Sequence, residues 1–373
     1  MRSPELGGAG DMPALDIDGR TYTYAQLDAA IERWIDRHGP REPVYDASML
    51  TIADALICIC AAARRGIPVI VENPDARPHR PSIPPSAFLL VTTSGSTGRP
   101  RALARTAASW FDTFPAFTTI TGILATDRVL ITGPLHATMH LFGALHALWR
   151  GGCVTDDPSQ ATVVHAVPAV LREVVRTAAR LRTAIVAGIA LDDGAAAAAE
   201  GIALIEYYGS AEVSLVAARR VPEPLRLIDG VDAEVRGGLL YIRSPYSVLG
   251  APEWFGVGDL AELGDNRELT VRGRGEFAIN VGGTTVVAED VERILETIDG
   301  VTAAAVIGSP HAVFGETVTA AVQLDGASIE EIRSRARGVL TKEAMPRRWV
   351  ALQALPRTGG GKVARGRLKE LLT

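Results

Sequence analysis

The sequence predicts an α/β protein. It reads as a large N-terminal domain of mostly parallel, helix-covered sheets with a small β-rich subdomain, followed by a small C-terminal α+β domain. Three observations predict this. Apolar strands and Ala-rich helices alternate as far as residue 210. Between residues 230 and 275 the pattern changes to short strands with close turns. The remaining residues hold a strand, a helix, two strands, a second helix and a glycine-rich loop. With 373 residues, 47% of them apolar, the chain exceeds what one core usually supports. Two domains are therefore expected, 1–274 and 275–373.

The elements follow in order. Thr23-Tyr24-Ala25-Gln26 has the form of a capping box, and Leu27, Ala30, Ile31, Trp34 and Ile35 recur at helical spacing. A helix should run from there to His38, where Gly39-Pro40 stops it. A second helix, Thr51 to Arg65, should end at Gly66 and lead into the short strand Pro68 to Val71. The Pro-rich stretch 73–87 cannot hold a regular element. Strands are expected at Phe88 to Thr92, Arg128 to Thr132, Thr162 to Ala166, Ala184 to Ala187 and Leu204 to Tyr208. The C-terminal domain should carry helices at Glu289 to Ile298 and Ser328 to Leu340, with strands at Ala303 to Ile307 and Thr317 to Gln323.

Composition excludes several classes. A net charge of −5 with interspersed signs leaves no basic footprint for nucleic acid. The longest apolar stretch, Ile52 to Ala63, is too short to span a bilayer, and the N-terminal residues show no targeting pattern, so a cytoplasmic location without membrane partners is expected. Cys58, Cys60 and Cys153 form no zinc or disulfide pattern and read as buried thiols. Lysine occurs only at positions 342, 362 and 369 in a chain that otherwise uses arginine, which makes each lysine informative.

The sharpest local signal is Thr92-Thr93-Ser94-Gly95-Ser96-Thr97-Gly98-Arg99-Pro100-Arg101, a hydroxyl-rich glycine loop directly after a strand. Gly95 and Gly98 permit close backbone approach, while amides and hydroxyls offer donors to a polyphosphate. The loop fits neither the Walker A pattern nor a dinucleotide fingerprint. Taken alone, it is as well explained by an ordinary turn.

With this loop the chain resembles the adenylate-forming superfamily of acyl-CoA synthetases, peptide-synthetase adenylation domains and luciferases. Four further segments resemble family motifs in the family's order: Tyr208-Gly209-Ser210-Ala211-Glu212; Val257-Gly258-Asp259-Leu260; Gly273-Arg274-Gly275-Glu276 with Ile279 to Gly283; and Leu355-Pro356-Arg357-Thr358 with Gly361-Lys362 and Arg365. The opening Tyr22 to Leu27 is also similar. The short layout resembles that of actinobacterial o-succinylbenzoate-CoA ligases.

The resemblance implies that the protein activates a small carboxylic acid with ATP as an acyl-adenylate and passes it to coenzyme A or to a carrier-protein phosphopantetheine. It implies that Thr93, Ser94, Gly95, Ser96, Thr97, Gly98 and Arg101 hold the phosphates. Tyr208, with Gly209 and Ser210, would face adenine, and Asp259 and Arg274 would bind the ribose hydroxyls. Glu212 would hold Mg²⁺, as suits a hard cation on phosphates. Lys362 would contact the α-phosphate and the attacking carboxylate, Glu276 would sit at a hinge, and Gly283 would leave room for pantetheine. His140 lies near a family histidine that borders the acyl site and is a candidate catalytic residue. His136, four residues before it, suggests a metal pair that lacks a third ligand, so a pocket or packing role is preferred. His146 and Trp149 on the same expected helix read as core.

Three positions depart from the family: Arg101 replaces its usual Lys, Ala102 its Gly and Ala211 its Thr. An enzyme that loads a carrier protein or an amine, and a degenerate nucleotide-binding homologue without catalysis, remain as alternatives. A homodimer stays open.

Overall fold

The structure, a computed structural model, describes residues 6–39, 42–75, 82–93, 101–275, 278–281, 284–311, 315–358 and 363–372. Two compact units are formed. The first contains Met1–Asp232, Ile242–Phe255 and Asp265–Glu268; the second contains Ala233–Tyr241, Gly256–Gly264 and Leu269–Thr373. No helix among the described residues is long and apolar enough to cross a membrane.

The first unit is built on a nine-stranded sheet. Across it run Arg226–Leu227, Ser214–Arg220, Ala203–Ser210, Thr183–Val186, Val163–Ala166, Arg128–Ile131, Cys153–Thr155, Pro13–Ile17 and Arg20–Thr23. The central strands are parallel, and Val163, Val164 and Ala166 are all 0% exposed, as expected of strands covered on both faces. A smaller sheet pairs Tyr45–Asp46, Val69–Ile70 and Leu89–Thr93 in parallel, with Arg101–Arg105 antiparallel at its edge.

Strand order determines where a ligand can sit. The chain leaves Arg128–Ile131 through the helix Thr138–Arg150 to the strand on one side, Cys153–Thr155. It leaves Val163–Ala166 through Pro168–Val174 to the strand on the other side, Thr183–Val186. The strands Arg128–Ile131 and Val163–Ala166 are adjacent, so the connections part between them at their carboxyl ends, the position where open α/β sheets commonly take ligands. The same edge receives the end of Ala203–Ser210.

Local chemistry explains the helices. In Tyr24–His38 the Thr23 side chain accepts from the Gln26 amide, while the Gln26 side chain accepts from the Thr23 amide, completing the capping box. Thr51 caps Ile52–Arg65 by accepting from the Asp54 amide with its hydroxyl. Gly66 ends that helix at φ 66°, a left-handed conformation that glycine adopts without a side-chain penalty. The helix Thr138–Arg150 is buried from His140 to Leu148 on all sides, which marks it as a central core helix.

Asp232–Arg236, Leu239–Arg243, Phe255–Leu263 and Leu269–Arg274 form a four-stranded sheet in chain order, which belongs mostly to the second unit. A further sheet runs Thr284–Val287, Ala278–Val281, Gly315–Leu324 and Val301–His311, with Arg348–Ala351 beside Gly315–Leu324. The helix Ala288–Glu296 packs on it through Val291 and Leu295, against Val306, Val318, Ala320 and Val322. Burying each such aliphatic side chain contributes about 1.5–3 kcal/mol.

Candidate active site

The strand Ala203–Ser210 turns sharply at its carboxyl end and returns as Ser214–Arg220. Ser210 pairs with Ser214 and Gly209 with Leu215, with a bulge between Tyr208 and Gly209. Ala211, Glu212 and Val213 form the tip. A Cβ on Gly209 would stand 2.1 Å from the Ser214 carbonyl oxygen, so this position accepts only glycine. Ser214 takes φ 62°, and Val213 is 0% exposed beneath the turn. The Glu212 amide donates to the Ser210 hydroxyl at 3.3 Å, and the Glu212 carbonyl accepts from the Val248 amide at 2.8 Å. Four expected site residues, Tyr208, Gly209, Ser210 and Glu212, thus share one fixed hairpin.

Alternation along the strand turns Tyr207 and Tyr208 to opposite faces. Tyr207 meets Phe117 edge-on at 5.7 Å between ring centroids. Just before this strand, the Leu191 amide donates to Glu206 at 3.1 Å, and Glu206 is paired with Arg219. This clamps the loop after Thr183–Val186 beside the same sheet edge.

The glycine loop joins two paired strands, because Thr93 lies opposite Arg101 and Thr92 opposite Ala102. Ser94, Gly95, Ser96, Thr97 and Gly98 lie outside the described residues, as do the side chains of Thr93 and Arg101. The strand leaving the loop ends at Arg105, a residue that motif reading missed. It is 0% exposed. Its Nη1 donates to the Ala211 carbonyl at 2.7 Å, and its Nη2 donates to the carbonyls of Ser109, at 3.3 Å, and Tyr246. A bond from a charged donor contributes about 1.5–3 kcal/mol. Burial lowers the guanidinium to about 10, and the charge of Glu212 acts against that fall. Arg105 therefore remains a cation at neutral pH. A buried arginine ending a strand carries no spacing signal, since its partners come from positions 109, 211 and 246.

His140 begins the central helix and is 8% exposed. A Cβ on Gly133 would stand 2.4 Å from its Nε2, so that glycine makes room for the ring. Burial, and then His136, push the imidazole down to about 4, so it is neutral at pH 7. His146 and His165, both 0% exposed, are pushed down to about 3, chiefly by burial. His146 bonds Thr118 at 2.8 Å and stacks among Phe114, Phe117 and Trp149, so it is core, as its position suggested. Among the described residues, no three His, Cys, Asp or Glu side chains gather to hold a metal by themselves. Cys58, Cys60 and Cys153 are buried free thiols.

In the second unit, Asp259 and Arg274 are direct partners across an antiparallel pair. Asp259 is 9% exposed, and Gly258 before it takes φ 79°. The Arg274 side chain, Glu276 and Gly283 lie outside the described residues.

Lys362 also lies outside them, but the chain on either side is fixed. Arg357 bridges Val363, and the Ala364 amide donates to the Pro356 carbonyl at 2.8 Å. Arg365 donates to both oxygens of Glu292, at 2.7 and 2.5 Å, and Glu292 also accepts from the Val306 amide at 2.6 Å. Burial pushes the Glu292 carboxyl up to about 7, with Arg365 pulling the other way.

Comparison with known proteins bears on the family and the fold. Residues 290–362 match the family model of the AMP-binding enzyme C-terminal domain. A protein of Bacillus subtilis (strain 168) named "Uncharacterized acyl--CoA ligase YhfT" is 29% identical over 340 residues, covering 78% of this chain and 70% of the relative. A protein of Mycobacterium tuberculosis (strain H37Rv) named "Probable 2-succinylbenzoate--CoA ligase" is 30% identical over 324 residues, covering 75% of this chain and 83% of the relative. In fold, the chain is similar to ATP-bound MatB from Rhodopseudomonas palustris, with a TM-score of 0.84, 21% identity, and coverage of 97% and 96% of the two chains. These matches place the chain in a family: it belongs to the adenylate-forming superfamily, among its acyl-CoA ligases.

Proposed function

We propose that the protein activates a carboxylic acid with ATP as an acyl-adenylate, releasing pyrophosphate, and then transfers the acyl group to the thiol of coenzyme A. The observation that carries this reading is the hairpin that presents Glu212 at a rigid tip, four residues after Tyr208, at the carboxyl edge of the sheet.

The chemistry requires two anions to meet. A carboxylate oxygen attacks the α-phosphorus in line, the bond to the pyrophosphate oxygen breaks, and negative charge grows on the α-phosphoryl oxygens. Cationic and hydrogen-bonding groups must already be in place there. In this reading Lys362 supplies the ammonium, Thr93 to Gly98 and Arg101 supply loop donors, and Tyr208 covers adenine. Asp259 and Arg274 act as acceptor and donor for the ribose hydroxyls.

The residues present suit magnesium. Glu212 offers a hard carboxylate oxygen from a half-buried turn, and Mg²⁺ on a nucleotide needs only one or two carboxylates because phosphates and water complete its shell. When bound, Mg²⁺ would neutralise phosphate charge. His140, neutral and buried, would border the acid as a hydrogen-bonding wall rather than as a cation. In the second half-reaction the thiolate sulfur attacks the acyl carbon and AMP leaves with the oxygen that came from the acid.

The test is an acid-dependent pyrophosphate-release screen over aliphatic, aromatic and dicarboxylic acids, run with and without coenzyme A. The expected result is release that depends on one acid class, with acyl-CoA and AMP formed in equal amounts when the thiol is present. Release followed by transfer only to an amine or a carrier protein would reassign the acceptor. No release with any acid would favour a nucleotide-binding homologue without catalysis.

A further inference from the structure

Among the described residues, Arg105 is the largest side chain that is fully buried, in a strand whose preceding residues, Ala102, Leu103 and Ala104, are small or apolar. Burying a guanidinium is costly unless its donors are used, so a buried arginine calls for an account of what it holds. Here the acceptors are three backbone carbonyls from separate stretches: Ser109, Ala211 and Tyr246.

These stretches are further tied around Glu212. The Leu249 amide donates to the Ala104 carbonyl and the Val248 amide to the Glu212 carbonyl, each at 2.8 Å. The segment 244–250 is thus stitched both to the strand that leaves the glycine loop and to the hairpin tip. Arg105 lies where the three meet. Its forked donors span Ala211 and Tyr246 at once, which the single ammonium of lysine cannot do.

We propose that Arg105 is a positioning residue for Glu212: by holding the Ala211 carbonyl against the strand Arg101–Arg105, it fixes the backbone from which the Glu212 carboxylate projects. The charge of Glu212 bears on Arg105 in turn and supports the cation in its buried place. The inference rests on the reading of Glu212 as the magnesium ligand.

The test uses Mn²⁺ as a spectroscopic probe, titrated into the full-length protein with ATP and without acid, and followed by electron paramagnetic resonance. No turnover is involved. Arg105→Lys keeps the charge and removes the fork. Arg105→Met leaves three carbonyls unpaired and serves only to report stability by thermal melting. Residues that orient a metal ligand commonly affect metal affinity by about tenfold or more, and Arg105→Lys should weaken Mn²⁺ binding by that amount. ATP binding in metal-free buffer should be unchanged, and hydrogen exchange at the amides of residues 212–215 should accelerate. In a Glu212→Gln background, Arg105→Lys should add no further loss, because the effect passes through Glu212.

Wild-type Mn²⁺ affinity in a folded Arg105→Lys protein, or losses that simply add in the double variant, would overturn the positioning role. If Glu212→Gln alone binds Mn²⁺ normally, the ligand reading of Glu212 fails first and takes this inference with it. The two failures are therefore distinguishable.

Discussion

Lys362→Ala should lose acid-dependent ATP–pyrophosphate exchange by about a hundredfold or more, equivalent to about 2.7 kcal/mol of transition-state stabilisation. The same preparation, given synthetic acyl-adenylate and thiol, should still form thioester. Lys362 is one of three lysines in the chain and follows Gly359, Gly360 and Gly361. A compact ammonium can bond two converging anions as a point charge, which the planar fork of arginine copies poorly. Arg357 with Val363, Pro356 with Ala364 and Arg365 with Glu292 hold the chain on either side, so the substitution changes a side chain between fixed ends. Full exchange activity would refute the catalytic role of Lys362. Equal loss of both half-reactions would point to damage to the fold.

Glu212→Gln should lower the Mg²⁺-dependent adenylation rate by about a hundredfold while leaving acid binding nearly unchanged, since the carboxylate acts through its charge. The hairpin should survive the change. Its geometry rests on Gly209, on the buried Val213 and on backbone bonds to Val248 and Arg105, and glutamine keeps the shape of the Glu212 side chain. Equilibrium binding of the acid and the single-turnover adenylation rate, measured at several Mg²⁺ concentrations, separate the two effects. Near-wild-type adenylation at ordinary Mg²⁺ would remove Glu212 from the metal.

Elements whose signals are local were legible in the sequence. The helix Tyr24–His38 lies where Thr23, Gln26 and Gly39 placed it, and Ile52–Arg65 lies between its capping Thr51 and Gly66. The parallel strands fall within a residue or two of their apolar runs. Ala203–Ser210 runs two residues past its expected end, because pairing with Ser214–Arg220 carries it beyond the apolar stretch. The second helix of the C-terminal region is shorter than expected, Ile329–Ala336 rather than reaching Leu340, with Gly338 just beyond its end.

The N-terminal hairpin went unread. Pro13–Ile17 and Arg20–Thr23 are joined by Asp18 and Gly19, at φ 55° and 69°, the aspartate-glycine pair that favours tight hairpins. The signal was present, but the pairing of Leu15 with Val154 that anchors the hairpin in the large sheet was not.

For the candidate site, the ordered motifs singled out Tyr208, Glu212 and Asp259 as candidates, and the structure places the first two on one hairpin and sets Asp259 opposite Arg274. Arg105 and the clamp of Glu206 on Leu191 were invisible, because each acts through backbone groups brought close only by folding.

The most direct measurement follows the acid's own oxygen. With the carboxylate of an accepted acid fully labelled with oxygen-18, one turnover in the presence of ATP and coenzyme A should place a single labelled oxygen in AMP and none in pyrophosphate. Attack by the carboxylate on the α-phosphorus, followed by cleavage at the acyl carbon, leaves it there. Label in inorganic phosphate together with ADP, or unlabelled AMP, would contradict an acyl-adenylate.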